Sequence, residues 1–279
     1  MIPSIAMLED YRRYPIGIQN FEQLRNNNCV YVDKTELVYK LTHTDQVYFL
    51  SRPRRFGKSL LVSTLEAYFQ GKKGLFGGLA MERLEKDWES YPVLHIDFSI
   101  SKYLSAHYLR SAINWFLERW EREYGCCVED KKGTPFSVRL GNVIESAYKK
   151  TGKAVVVLVD EYDSPMLDTN SDVALQGELR GIMRDFFSPL KGMGQYLRFL
   201  FITGISKFSQ MSIFSELNNL QNISMRDDFS AICGTPEEAL AQIDSKQYAV
   251  PYQADGRRVV KVGVNFDSAT RTIGEWIVR

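Results

Sequence analysis

The sequence predicts an α/β fold in which helices cover both faces of a mostly parallel sheet, and three observations predict it. Residues 154–159 (AVVVLV) are an unbroken apolar run without alternation, the pattern of a strand buried on both faces. Strand-like and helix-like stretches alternate along the chain, as repeated βα units require. Polar and acidic residues follow the strand-like runs directly, at the end where ligands gather in such sheets.

Each element has its own reason. Residues 47–50 (VYFL) form a first strand, which runs into a loop at 51–57. Residues 58–70 form a helix with Leu60, Leu61, Thr64, Leu65 and Phe69 on one side, and Gly71, Gly74, Gly77 and Gly78 then punctuate the chain. A second strand is expected over 93–98 (VLHIDF) and a long helix over 104–124. In that helix Leu109, Ile113, Phe116, Trp120 and Tyr124 recur at helical spacing, the pattern of a face packed on a sheet rather than a platform for stacking bases. Helices are expected over 136–150, ended by Gly152, and over 173–187; a fourth strand covers 197–203 (LRFLFIT). Residues 130–135 (DKKGTP) read as a polar surface loop.

Composition narrows the class. A length of 279 residues allows one large domain, or one with an appendage. Lys and Arg number 35 against 34 Asp and Glu, a net charge of +1; this excludes a general basic binder of nucleic acid while leaving room for a local basic site. A charged fraction of 25% and an aromatic fraction of 13% exclude wholesale disorder. The run at 154–159 falls far short of the roughly 18–20 residues that cross a bilayer. Leu8-Glu9-Asp10 interrupts the place where a signal peptide needs an apolar stretch, so a cytoplasmic location is expected. Cys29, Cys126, Cys127 and Cys233 fit neither zinc-site spacing nor a disulfide framework and read as reduced thiols.

Three motifs carry chemistry. Residues 51–60 read SRPRRFGKSL, and Gly57-Lys58-Ser59 between a strand and a helix is the last half of a phosphate-binding P-loop. Backbone N–H groups along Arg54, Arg55, Phe56, Gly57, Lys58, Ser59 and Leu60 would face phosphate oxygens at a helix start. Lys58 would reach the β and γ phosphates, and Ser59 would offer its hydroxyl to Mg²⁺. Arg52 occupies the place where the general pattern has Gly; Arg54 and Arg55 add charge that offsets weaker backbone cradling. The second motif is Asp160-Glu161, directly after the buried run. Two carboxylates there are costly unless a metal ion or water resolves their charge. Asp160 would hold Mg²⁺ and Glu161 would orient the attacking water. The rival reading, two solvated caps on the next helix, is outweighed once the phosphate loop stands in the same chain. Asp163 fits a turn before Ser164-Pro165 at least as well as a catalytic role. The third motif is Thr203, placed at a strand end to sense the γ-phosphate or hold the lytic water, with Ser206 in reserve. Together the motifs predict a P-loop NTPase three-layer sandwich in which the strand ending at Thr203 separates the other two.

With these residues assembled, the chain resembles the AAA-ATPase-like family of bacterial proteins, which join a P-loop ATPase domain to a C-terminal restriction-endonuclease-like domain. The matching stretches are 14–18 (YPIGI) with Phe21, 31–35 (YVDKT), 49–59 (FLSRPRRFGKS), 159–165 (VDEYDSP), 201–208 (FITGISKF) and 217–220 (LNNL). The resemblance implies that Arg52 belongs to this family's form of the loop and that Asp33-Lys34-Thr35 lies near the nucleotide. It also implies a helical lid and a nuclease-like domain after position 234. Instead 236–243 (PEEALAQI) and 259–266 (VVKVGVNF) read as that domain's closing helix and strand. Asp244 and Lys246 imitate its Asp-x-Lys pattern, but they sit in a helical pattern with Ala239, Ile243 and Gln247 and read as a solvent-facing pair. The expectation is a P-loop domain over 1–234, an internal deletion near 234–236, a helix-plus-strand remnant over 235–279, and no nuclease chemistry.

The leading functional expectation is an ATP-binding protein that hydrolyses ATP with Mg²⁺, using Lys58, Glu161 and Thr203. Arg54, Arg55, Arg180 or a neighbouring subunit would supply any arginine finger. The alternative is an inactive, nucleotide-dependent interaction module whose effector domain is lost. A nucleic-acid module using Arg12, Arg13, Arg52, Arg54 and Arg55 is the weakest reading, because the last three already have a phosphate role. A protein partner and an oligomer are compatible with the sequence; a membrane is not expected.

Overall fold

A computed structural model describes residues 13–15, 17–52, 54, 56–126, 128–131, 133–169, 172–205, 214, 217, 219–224, 226–233, 262–267 and 272–278. The four expected strands are present as β1 (Val47–Ser51), β2 (Val93–Asp97), β3 (Val155–Asp160) and β4 (Leu197–Gly204). A short β5 (Gln221–Asn222) joins them in one sheet of order β2-β3-β4-β1-β5. Every pairing in this sheet is parallel. β4 runs between β1 and β3, with Leu50 opposite Thr203 and Val159 opposite Ile202. The carboxyl ends of all three strands therefore reach the same edge.

Eight α-helices are described: α1 (Phe21–Asn26), α2 (Thr35–Thr44), α3 (Lys58–Phe69), α4 (Ala80–Leu84), α5 (Ala106–Tyr124), α6 (Phe136–Thr151), α7 (Ser164–Leu167) and α8 (Val173–Phe187). The sequence reading assigned nothing before residue 47, where the structure has α1 and α2. At six residues α1 is too short to show a period. Its start is fixed locally, by the Asn20 side chain accepting from the Gln23 amide at 2.8 Å.

Alternation along the buried strands divides the core in two. Val155, Val157 and Val159 of β3 face a cluster built from α5, α6 and α8. Val156 and Leu158 face a second cluster from α1 to α4. This is the three-layer sandwich. The stripe Leu109, Ile113, Phe116, Trp120 and Tyr124 of α5 is buried in the first cluster, as a sheet-packing face should be.

A buried ion pair ties α5 to α6. The Arg139 guanidinium donates to both carboxylate oxygens of Glu121 at 2.7 and 3.0 Å, and to the Asn114 side chain. Arg139 is fully buried and Glu121 is 3% exposed. Removing Arg139 leaves the buried Glu121 carboxylate facing the more exposed Lys131 ammonium at 3.7 Å. Arg139→Ala is thus expected to lower unfolding stability by about 3–5 kcal/mol, read by chemical denaturation; a loss under about 1 kcal/mol would contradict this account.

Near the C-terminus, β6 (Val262–Asp267) pairs antiparallel with β7 (Thr272–Val278). The sequence reading expected one strand there; the structure has a hairpin. The helix expected at 236–243, with Asp244 and Lys246, lies outside the described residues, as do Arg12, Arg55, Cys127 and Ser206. Cys29, Cys126 and Cys233 form no disulfide. Among the described residues no helix is long and apolar enough to cross a membrane.

Candidate nucleotide-binding site

The site is built where β1, β3 and β4 end. After β1 the chain turns through Gly57, whose φ of 77° is the left-handed conformation that glycine adopts without strain. Gly57 is the N-cap of α3, and among the described residues no side chain caps that terminus. A Cβ built on Gly57 meets nothing within 4 Å, so here the backbone conformation, not crowding, calls for glycine. The first bond inside the helix runs from the Leu61 amide to the Gly57 carbonyl at 2.9 Å. The amides of Lys58, Ser59 and Leu60 precede it, in the position from which helix starts hold anions.

Lys58 points into the protein rather than into solvent: it is 3% exposed, and its Nζ lies 3.5 Å from Oε1 of Glu161. The two residues, far apart in the chain, are neighbours. Asp160 is 2% exposed and Thr203 is fully buried. The Thr203 hydroxyl donates to Oδ1 of Asp160. The Glu161 amide donates to the same Oδ1 at 3.1 Å and to the Thr203 hydroxyl at 3.4 Å. The second and third motifs thus share hydrogen bonds, and the first meets them through the Lys58–Glu161 ion pair.

Glu161 occupies a strained backbone position, with φ of 52°. For a residue with a Cβ this costs of order 1 kcal/mol, and surrounding bonds must hold it. The Tyr162 amide donates to the Thr203 carbonyl at 3.0 Å, and the Ser164 amide to the Glu161 carbonyl at 3.0 Å. Asp163, fully buried, accepts from the Ile205 amide at 2.9 Å. The turn after β3 is therefore pinned to the end of β4. The sequence left Asp163 open between a turn and a catalytic role; the structure gives it this pinning bond.

Gly204 is where that turn presses closest. A Cβ there would overlap the Tyr162 ring and stand 2.8 Å from an Asp163 oxygen. Gly204→Ala is expected to lower stability by about 1–3 kcal/mol through overpacking. The same change displaces Glu161 from Lys58. Denaturation at wild-type stability would show that the turn gives way freely.

The remaining expected residues lie as follows. Phe56 and Ser59 are half-buried and Arg54 is exposed. The Leu60 side chain packs against the second core cluster, so only its backbone is left to face a phosphate. Arg180 lies on α8; its Nε is buried without a hydrogen-bond partner among the described residues. Asp33 and Thr35 form a clasp. Asp33 accepts from the Thr35 amide at 2.9 Å and the Ala80 amide at 2.8 Å, while the Thr35 hydroxyl accepts from the Met81 amide at 3.0 Å. These bonds join the starts of α2 and α4. Of the three residues, Lys34 shares the electrostatic surroundings of Cys233 with Lys58, Arg52 and Asp160.

A parallel three-layer sheet with a lysine-bearing turn beside an acidic strand end defines a P-loop NTPase-like protein. Residues 15–214 match a family model described as predicted AAA-ATPase, and the chain belongs to that AAA-ATPase-like family. Residues 216–276 match a model of the PD-(D/E)XK nuclease superfamily. A curated relative, described as an uncharacterized protein in the vnfD 5′ region of Azotobacter chroococcum mcd 1, is 40% identical over 228 residues. The match covers 81% of this chain and 43% of the relative, so the chain spans less than half the length of the curated protein it matches.

Proposed function

We propose that the chain binds ATP at the α3 N-terminus and hydrolyses it with Mg²⁺. The observation that supports this reading is the contact between Lys58 and Glu161 beside the Asp160–Thr203 hydrogen bond. A buried ammonium and two carboxylates at one strand edge suit a ligand that brings both negative phosphate and a cation. Lys58 neutralises the phosphates, with the backbone of residues 54–60 around them. Ser59 and Asp160 hold Mg²⁺. Both of Asp160's hydrogen bonds fall on Oδ1, which leaves Oδ2 with acceptor capacity for the metal or its water. No cluster of three or more His, Cys, Asp or Glu occurs among the described residues; Mg²⁺ needs none, since it takes one or two protein ligands and completes its shell with phosphate oxygens and water. When bound, the metal would spread the charge of the transferring phosphoryl group. Glu161 orients the attacking water and accepts its proton, and Thr203 holds the Asp160 carboxylate and the Glu161 amide in register.

We further place the division between the two parts of the chain after residue 234, not at 214–216 where the two family matches meet. Ile223, Phe229 and Ile232 are buried in the second core cluster of the P-loop sheet, which supports assigning them to that domain. Residues 235–279 then correspond to the closing portion of a nuclease-like domain without its catalytic strand.

Titration of a fluorescent ATP analogue with and without Mg²⁺, beside steady-state phosphate release, tests the proposal. Saturable binding with release above background is the expected result. Failure to bind overturns it, and binding without release leaves the interaction-module reading in its place.

A further inference from the structure

β1 is bonded on both sides. Opposite β4 lies β5, with Tyr48 facing Gln221 and Phe49 facing Asn222. The contact continues beyond the two paired residues. The Ile223 amide donates to the Phe49 carbonyl at 3.0 Å, and the Ser51 amide donates to the Ser224 hydroxyl at 2.7 Å. The chain then folds over α2 and α3 as a 3-10 segment, Asp227–Cys233, with Phe229 and Ile232 buried. Lys40 and Arg226 both flank the Phe229 ring, 5.2 and 5.3 Å from its centre. Both also pair with Asp228, at 3.3 and 2.9 Å. This strap ends at Cys233, whose thiol is pushed up to about 11 by burial and feels the charges of Arg52, Lys58, Asp160 and Lys34. The strap therefore runs from the edge of β1 over α2 and α3, beside the phosphate loop that follows β1.

Arg52 fastens the two. Its amide donates to the Gly204 carbonyl at 3.1 Å, at the end of β4. Its guanidinium donates to the carbonyls of Ser224 and, at 3.2 Å, Ser51. These partners are neutral, and no carboxylate pairs with Arg52 among the described residues. Burial holds its pKa below the usual arginine value, the mark of a cation whose charge is poorly compensated. An anion bound at the start of α3, the far end of the loop that Arg52 opens, compensates that charge, so the junction is firmer with phosphate present than without it.

We propose that Arg52 is the positioning residue that couples the phosphate loop to the strap, so that a triphosphate held at Lys58 tightens residues 221–224 and 226–233 onto β1. By linkage, the docked strap tightens the triphosphate by the same factor. The inference rests on the ATP reading. It gives the arginine that replaces the usual loop glycine a task.

Hydrogen–deuterium exchange of the full chain, with and without a saturating non-hydrolysable ATP analogue and Mg²⁺, tests it. In the wild type, exchange at the Ile223, Ser224, Arg226 and Phe229 amides is expected to slow roughly 5- to 20-fold on binding. In Arg52→Ala at saturation the slowing disappears, and analogue affinity falls by the same factor. Arg52→Gln keeps most of the volume but not the charge, serves if the alanine variant fails to fold, and loses the slowing too; Arg52→Lys keeps part of it. A wild type that binds the analogue with no change in these amides overturns the inference alone. Full slowing in Arg52→Gln does the same. A wild type that binds no analogue overturns the ATP reading and this inference with it.

Discussion

Replacing Lys58 with alanine is expected to weaken ATP binding roughly 100-fold or more, the loss typical of removing one side of a desolvated charge contact. Lys58 is the first residue of α3, where alanine is well tolerated, so the helix survives the change. Its partner Glu161 keeps some contact with solvent, at 17% exposure, and is not left as an isolated buried charge. The variant should therefore stay folded while losing its ligand. Titration with a fluorescent ATP analogue, with circular dichroism to verify the fold, separates the two effects. Undiminished affinity in a folded Lys58→Ala protein would falsify the phosphate-loop assignment.

Glu161→Gln is expected to do the opposite: keep ATP and lose turnover. Glutamine has the shape of glutamate and can orient a water, but it cannot accept the proton. A fall in phosphate release of roughly 10²- to 10⁴-fold is the expected scale for removing a general base. Affinity should hold or rise slightly, because a negative group next to the phosphates is gone. The measurement is single-turnover phosphate release beside analogue binding. Release at the wild-type rate removes Glu161 from the chemistry and points to a water held elsewhere, whereas release absent from both proteins leaves the binding module as the function.

Much of this arrangement was legible from residues alone. The run at 154–159 could only be a doubly covered strand, and it is β3. Parallel strands put their carboxyl ends at one edge, so a lysine after β1 and carboxylates after β3 had to come close. The position of β4 between them followed from the same motif logic. What stayed hidden depends on contacts between distant residues and leaves no periodic trace. Nothing near Ser224 announces that its hydroxyl accepts from Ser51 or that its carbonyl takes the Arg52 guanidinium. Asp163 stayed open between a turn and a catalytic role because its partner, the Ile205 amide, lies far along the chain, just past the end of β4. α1 and α2 escaped because short helices with mixed faces give weak patterns. Asp33-Lys34-Thr35 came from family likeness, and the structure uses Asp33 and Thr35 as a clasp between α2 and α4.

The placement of β4 has a consequence for how the molecule comes into being. It is made last of the four long strands, yet its seat is in the middle. While the chain is being synthesised, β1 and β3 wait with unsatisfied flanks, a state open to mispairing and clumping. Lys58 and Glu161 meet only after residues 197–204 have slotted in. A ligand that bound to both would act as a keystone, favouring the finished arch over the half-built ones by mass action.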